Sequence, residues 1–162
     1  MSSRGVWRTV RTRASLVALV VQAFLATGVM PQPLDAQKLG RAYEVQLAHD
    51  MMVPMRDGVR LAVDIYRPAA DGQLLEGDWP VIITRTPYNK STPGTARQAE
   101  FFARNGYIYV AQDTRGRFAS EGVYRPFSRD DNQNDGYDSV EWIREQPWCD
   151  GKIGSVGVSY GG

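Results

Sequence analysis

Five residues near the end of the chain have the spacing of a reactive serine: Gly157-Val158-Ser159-Tyr160-Gly161. The pattern G-x-S-x-G is that of a nucleophile elbow, in which a serine hydroxyl stands on a tight strand-to-helix turn and attacks a carbonyl carbon. The flanking positions, Gly157 and Gly161, must be small, because a side chain at either would collide with the neighbouring strand or helix. The backbone N–H of Tyr160 would point to where negative charge develops on the attacked oxygen. The bland alternative is a glycine-rich turn that holds a phosphate at a helix N-terminus. The Gly-Lys-Ser/Thr ending of a P-loop is absent, which weighs against it.

An elbow needs a strand before it and a sheet to hold that strand. Residues 153–158 are rich in Gly and Val and read as a buried strand running into Ser159. Upstream, Val53–Met55 and the alternating Val59, Leu61, Val63 and Ile65 flank Arg56-Asp57-Gly58 and predict a β-hairpin. Residues 67–80 read as loop, and Val81–Thr84 as a buried strand closed by Thr86-Pro87. Thr95–Asn105 has helical spacing with Gly106 as its stop, and Tyr107–Ala111 is a second buried strand. A helix follows around Tyr137–Ile143, bounded by Pro147. Strand, helix, strand, helix, strand predicts an α/β fold with a mostly parallel sheet, preceded by an antiparallel N-terminal hairpin.

The 162 residues carry 43% apolar and 23% charged side chains, the balance of an ordinary globular domain. The net charge of +1 is unevenly spread. Residues 1–36 hold Arg4, Arg8, Arg11 and Arg13 against Asp35, a net of +3, which leaves −2 for the remainder. No cationic patch for nucleic acid is expected in the body of the chain. The arginines followed by the apolar run Leu16–Met30 read as a secretory signal peptide over 1–36, cut between Ala36 and Gln37, with 37–44 as a connector. An uncleaved anchor is the alternative, although the apolar run is shorter than the roughly 20 residues that span a bilayer. Export to the periplasm or the exterior is the expectation, without stable membrane association after cleavage. Cys149 is the sole cysteine, so it is either a small buried hydrophobe or the partner of a residue outside this sequence.

Four further motifs carry a family resemblance. Met55-Arg56-Asp57-Gly58-Val59-Arg60-Leu61 resembles the opening of the CocE/NonD hydrolases, which include cocaine esterase, α-amino-acid ester hydrolases, glutaryl acylases and Xaa-Pro dipeptidyl-peptidases. So do Arg85-Thr86-Pro87-Tyr88-Asn89-Lys90, Gln112 through Gly122, and Gln146-Pro147-Trp148-Cys149-Asp150-Gly151-Lys152. The resemblance runs from about Val53 to Gly162 and implies a truncated α/β-hydrolase fold. It also implies that Tyr88 donates its phenolic O–H to the oxyanion, where lipase-like relatives use a His-Gly-Gly loop. A phenol is a good donor, and Pro87 stiffens the loop that carries it. The alternative is a tyrosine merely packed at a strand end.

The loop 113–122, with Asp113, Arg115, Arg117 and Glu121, reads as structural. Asp113 and Arg115 are expected to pair, with a direct substrate role as the alternative. Asp130 to Gly136 invites a calcium loop, but Gln133 and Trp142 stand where the EF-hand pattern needs an Asp or Asn and a Glu. These residues read as helix caps. No metal and no cofactor are expected. His49, the only histidine, precedes the hairpin and reads as an ordinary strand or surface residue. In this fold the acid and the histidine of a triad follow the serine, so both are expected beyond Gly162, and the 162 residues alone are expected to be inactive. The function expected is acyl-enzyme hydrolysis of a small-molecule ester, amide or short peptide. The rivals are a non-catalytic binding protein of the same fold and a truncated gene product.

Overall fold

The computed structural model describes residues 42–129 and 133–161. The expected signal peptide, most of the connector, and Asp130 to Asn132 lie outside the described residues. The strands are β1 (Glu44–Pro54), β2 (Arg60–Ala70), β3 (Gln73–Leu74), β4 (Trp79–Thr86), β5 (Ile108–Asp113) and β6 (Cys149–Ser155). Two helices intervene, α1 (Pro93–Arg104) and α2 (Asp135–Arg144). The sheet order is β1-β2-β5-β4-β6, with β3 paired to β2. β1 and β2 form the antiparallel hairpin, β2 pairs antiparallel with β5, and β4 pairs parallel with both β5 and β6.

The hairpin turns where the Asp-Gly pair predicts. Gly58 has φ +86° and donates to the Met55 carbonyl, while Met55 N–H donates to Val59. α1 stops on its glycine signal but starts two residues before the expected Thr95. The Thr92 side chain accepts from the Thr95 amide, Pro93 fills the first turn, and Gly106 leaves the helix at φ +85°.

Three features of the sheet differ from expectation. β2 runs on through Arg67–Ala70 and turns at Asp71-Gly72, both at positive φ, to pair with β3. Two successive left-handed residues make the type I′ geometry that suits a tight hairpin, so the stretch taken as loop is largely sheet. β6 begins at Cys149 and ends at Ser155, earlier than the predicted 153–158. Finally, β6 is half-buried to exposed and sits at one end of the strand order, whereas a buried strand was expected. Among the described residues it has β4 on one side only, and that explains the exposure.

Alternate side chains of the sheet go to opposite faces, and each face has its own core. Leu61, Val63 and Ile65 of β2, Val81 and Ile83 of β4, and Ile108 and Val110 of β5 pack with Ile143 of α2. Tyr66, Tyr109 and Ala111 pack on the other face with Ala99 and Ala103 of α1. Because β2 and β5 are covered on both faces, their in-between residues Asp64 and Gln112 are buried too.

Candidate active site

Ser159 follows β6 by four residues and lies at φ +58°, the left-handed region that non-glycine residues rarely occupy. It opens a 3-10 turn, Ser159–Gly161, in which the Gly161 amide donates to the Val158 carbonyl at 3.2 Å. The Ser159 residue is exposed. A strained, exposed serine just beyond a strand is the backbone arrangement an elbow requires. Gly161 is small for a visible reason: a Cβ there would stand 2.8 Å from the Arg85 carbonyl oxygen of β4. Gly157 lies in the link between β6 and the turn, and Tyr160 is the middle residue of the turn.

Tyr88 sits beyond the end of β4, the parallel neighbour of β6. Ile83 pairs with Ser155, so Tyr88 comes five residues and Ser159 four residues after the same rung of the sheet. Both therefore follow the C-terminal ends of adjacent parallel strands. The Tyr88 residue is 58% exposed, and its backbone N–H donates to Thr86 Oγ1 at 3.0 Å. Pro87 precedes it, and the Pro87 carbonyl accepts from Arg117 Nε at 3.0 Å. The Arg117 guanidinium also lies over the rings of Phe118 and Tyr124.

Lys90, two residues after Tyr88, is buried to 3% exposure. Its ammonium is 2.6 Å from Asp50 Oδ1, 2.9 Å from Asp64 Oδ1 and 4.0 Å from Asp113 Oδ2. Burial alone would lower the lysine pKa, but the hydrogen bonds to Asp50 and Asp64 outweigh it and hold the pKa above the ordinary value. Burial would likewise raise Asp64, yet bonds from Lys90, the Asp50 amide and Ser91 bring its carboxyl below the usual range. Asp113 goes the other way. Burial pushes it up, against hydrogen bonds from the Lys90 and Ala119 amides. Sequence reasoning saw Lys90 only as part of a motif and Asp64 not at all.

Asp113 and Arg115 do not pair, contrary to expectation. β5 ends at Asp113 and the chain turns, so the two side chains diverge. Asp113 turns to Lys90 on the α1 face. Arg115 instead donates two hydrogen bonds to Asp135 of α2, at 2.9 and 2.6 Å, and two more to Asp57 of the hairpin turn. The loop is fixed to β2 as well. Ser120 Oγ donates to the Asp113 carbonyl and accepts from the Ala62 amide, and Glu121 pairs with Arg60. The structural reading of this loop fits these bonds. His49 lies in β1, with Nδ1 3.5 Å from Asp64 Oδ1 and a largely exposed ring. Cys149 is half-buried at the start of β6. Among the described residues, no group of His, Cys, Asp and Glu is arranged to hold a metal ion.

A mixed sheet with a helix on each face, and a serine turn at the C-terminal edge of its parallel strands, is the layout of part of an α/β-hydrolase fold. Comparison with known proteins narrows the class. The chain belongs to the X-Pro dipeptidyl-peptidase (S15) family, whose model matches residues 57–162. It is 51% identical over 120 residues to cocaine esterase of Rhodococcus sp. (strain MB1 Bresler), a match covering 70% of this chain and 19% of that protein. Among solved structures it resembles a CocE/NonD family hydrolase from Staphylococcus aureus, with a TM-score of 0.62 and 29% identity over 73% of this chain and 24% of that one. An α-amino acid ester hydrolase superposes with a TM-score of 0.58 and 30% identity, covering 82% of this chain and 25% of the other. The chain spans about a fifth of the length of the curated relatives it matches.

Proposed function

We propose that the complete gene product is a serine hydrolase that cleaves a small ester, amide or peptide bond through an acyl-enzyme. Ser159 is the nucleophile in this reading, and the observation that carries it is the positive φ of Ser159 on an exposed turn beyond β6. As Ser159 Oγ attacks, the carbonyl oxygen gains charge and is held by two donors, the Tyr160 backbone N–H and the Tyr88 hydroxyl. A histidine oriented by a carboxylate takes the serine proton and returns it to the leaving group, and water then releases the acyl group. In this fold the carboxylate and the histidine follow the nucleophile in the sequence. The register that brings residues 88 and 159 to one edge supports the pairing of donor and nucleophile.

Relatives named as a cocaine esterase, an α-amino acid ester hydrolase and X-Pro dipeptidyl-peptidases point to small acyl esters or amides of amines and short peptides as substrates. Export through a cleaved leader over residues 1–36 belongs to the same proposal. It rests on the arginines and the apolar run of that segment.

A fluorophosphonate probe tests the nucleophile directly. The complete, folded gene product is expected to be labelled, and its Ser159→Ala variant is expected to stay unlabelled. Equal labelling of the two, or none of the folded wild type, would overturn the assignment and favour a binding protein of the same fold.

A further inference from the structure

Residues 86–91 form a short loop that is held at almost every backbone position. Tyr88 N–H is tied to Thr86, the Pro87 carbonyl to Arg117, the Ser91 amide to Asn89 Oδ1, and the Lys90 amide to Asp113 Oδ1 at 2.8 Å. Asn89 sits at φ +82°, between Tyr88 and Lys90. Tyr88 is the loop's one large exposed side chain, whereas Pro87 and the charged Lys90 are buried.

An inserted lysine is unusual. It loses about 2 kcal/mol of side-chain freedom and the hydration of a full charge. Here the ammonium reaches acids from three separate strands: Asp50 of β1, Asp64 of β2 and Asp113 of β5. β1 is bulged between Ala48 and Met51, with Asp50 at φ +50°. That bulge puts the Asp50 amide on Asp64 Oδ1 at 3.1 Å while its carboxylate meets Lys90. A bulge re-aims side chains, and this one completes the lysine's socket.

We propose that Lys90 is a positioning residue for the Tyr88 hydroxyl: seated among Asp50, Asp64 and Asp113, it pins the loop after β4 so that the phenol is preset for the oxyanion. The proposal rests on the reading of Tyr88 as oxyanion donor. A donor that need not reorganise during the reaction is worth far more than one that must, and Lys90 supplies that rigidity from the buried side of the loop.

The test is a double-mutant cycle in the complete gene product, with p-nitrophenyl acetate as substrate. Lys90→Met is expected to lower kcat by about 10²-fold, with KM within about twofold, because a misplaced donor affects the transition state. Added to Tyr88→Phe, the same change is expected to lower kcat by no more than about twofold further, since the donor it positions is already gone. Lys90→Arg, which keeps the charge, is expected to recover about tenfold of the loss. If Lys90→Met does not fold by circular dichroism, the isosteric Asp64→Asn takes its place in the cycle, with an expected loss of about tenfold.

Unchanged kcat in the folded variant, or losses that multiply in the double variant, would overturn the positioning role. The two ideas fail differently. If Tyr88→Phe alone leaves kcat intact, the donor assignment itself falls. If Tyr88→Phe is slow and the losses multiply, only the role of Lys90 falls.

Discussion

Gly161 passes so close to Arg85 that a single added methyl carbon would lie 2.8 Å from the Arg85 carbonyl oxygen. The turn that begins at Ser159 therefore leans on the backbone of β4, the strand that also leads to Tyr88. Backbone cannot swing aside as a side chain can. Gly161→Ala is expected to push the turn off β4, costing about 1–3 kcal/mol of stability and about 10²-fold in kcat. Urea unfolding and ester hydrolysis by the complete gene product measure the two effects. Wild-type turnover in Gly161→Ala would mean that the close approach plays no part in aiming the serine.

Tyr88→Phe separates a donor from a packing residue. The side chain is more than half exposed, so removing the hydroxyl should leave the melting temperature within about a degree of wild type, as for surface changes generally. Turnover should fall by about 10²–10³-fold, the usual cost of losing one oxyanion donor. KM should hardly move, because the bond strengthens in the transition state.

Arg115 joins three distant pieces of chain, and its loss should be felt as stability. Asp135 is fully buried and receives two bonds from the guanidinium, which in turn keep the Arg115 pKa raised. Arg115→Met leaves that carboxylate buried without its cation, for an expected loss of about 3–5 kcal/mol. Adding Asp135→Asn should restore part of it. Chemical denaturation of the single and double variants decides the matter. A single variant as stable as wild type would remove Arg115 from the framework.

Asp64 and Asp113 should give opposite pH dependences. The folded Asp64 carboxyl lies below its ordinary value, so its stabilisation is present above the unfolded pKa of about 3.9 and is lost as pH falls through the folded value. Asp113 is raised. Its contribution is present below about 3.9 and is lost as pH rises through the higher folded value. Between pH 3 and pH 7, the stability of Asp64→Asn relative to wild type should worsen with rising pH, and that of Asp113→Asn should improve. Unfolding free energies across that range check both slopes, and slopes of the same sign would show that burial does not dominate the titration of Asp113.

Much of the frame was legible because local chemistry dictates it. Asp57-Gly58 and Gly106 each force or permit one backbone path, and the structure takes it. The tight turn at Ser159 was legible for the same reason. The Thr92-Pro93 start of α1, two residues before the expected Thr95, was missed. Asp71-Gly72 carried an equally clear turn signal but was hidden by the polar residues around it. The start of β6 was missed because Asp150, Gly151 and Lys152 lack apolar alternation, which a strand open on one side does not need. The Lys90 socket was illegible on different grounds. Charged residues read as solvated unless their partners are known, and Asp50, Asp64 and Asp113 come together only once β5 is inserted beside β2. The partners of Arg115 lie 20 and 58 residues away along the chain, and no local pattern could have supplied them.

The order β1-β2-β5-β4-β6 also sets a timetable on the ribosome. β4 and its loop are made before β5, yet β5 must slot between β4 and β2. From Thr86 to Asp113 the chain grows by 27 residues, which at about 5–20 residues per second takes roughly one to five seconds. Throughout that interval Lys90 has no Asp113 to meet and β4 has neither of its partner strands, β5 and β6. Until β5 has emerged as well, β4 is a bare strand carrying Val81, Ile82 and Ile83, and that is the moment at which a holding chaperone has most to protect.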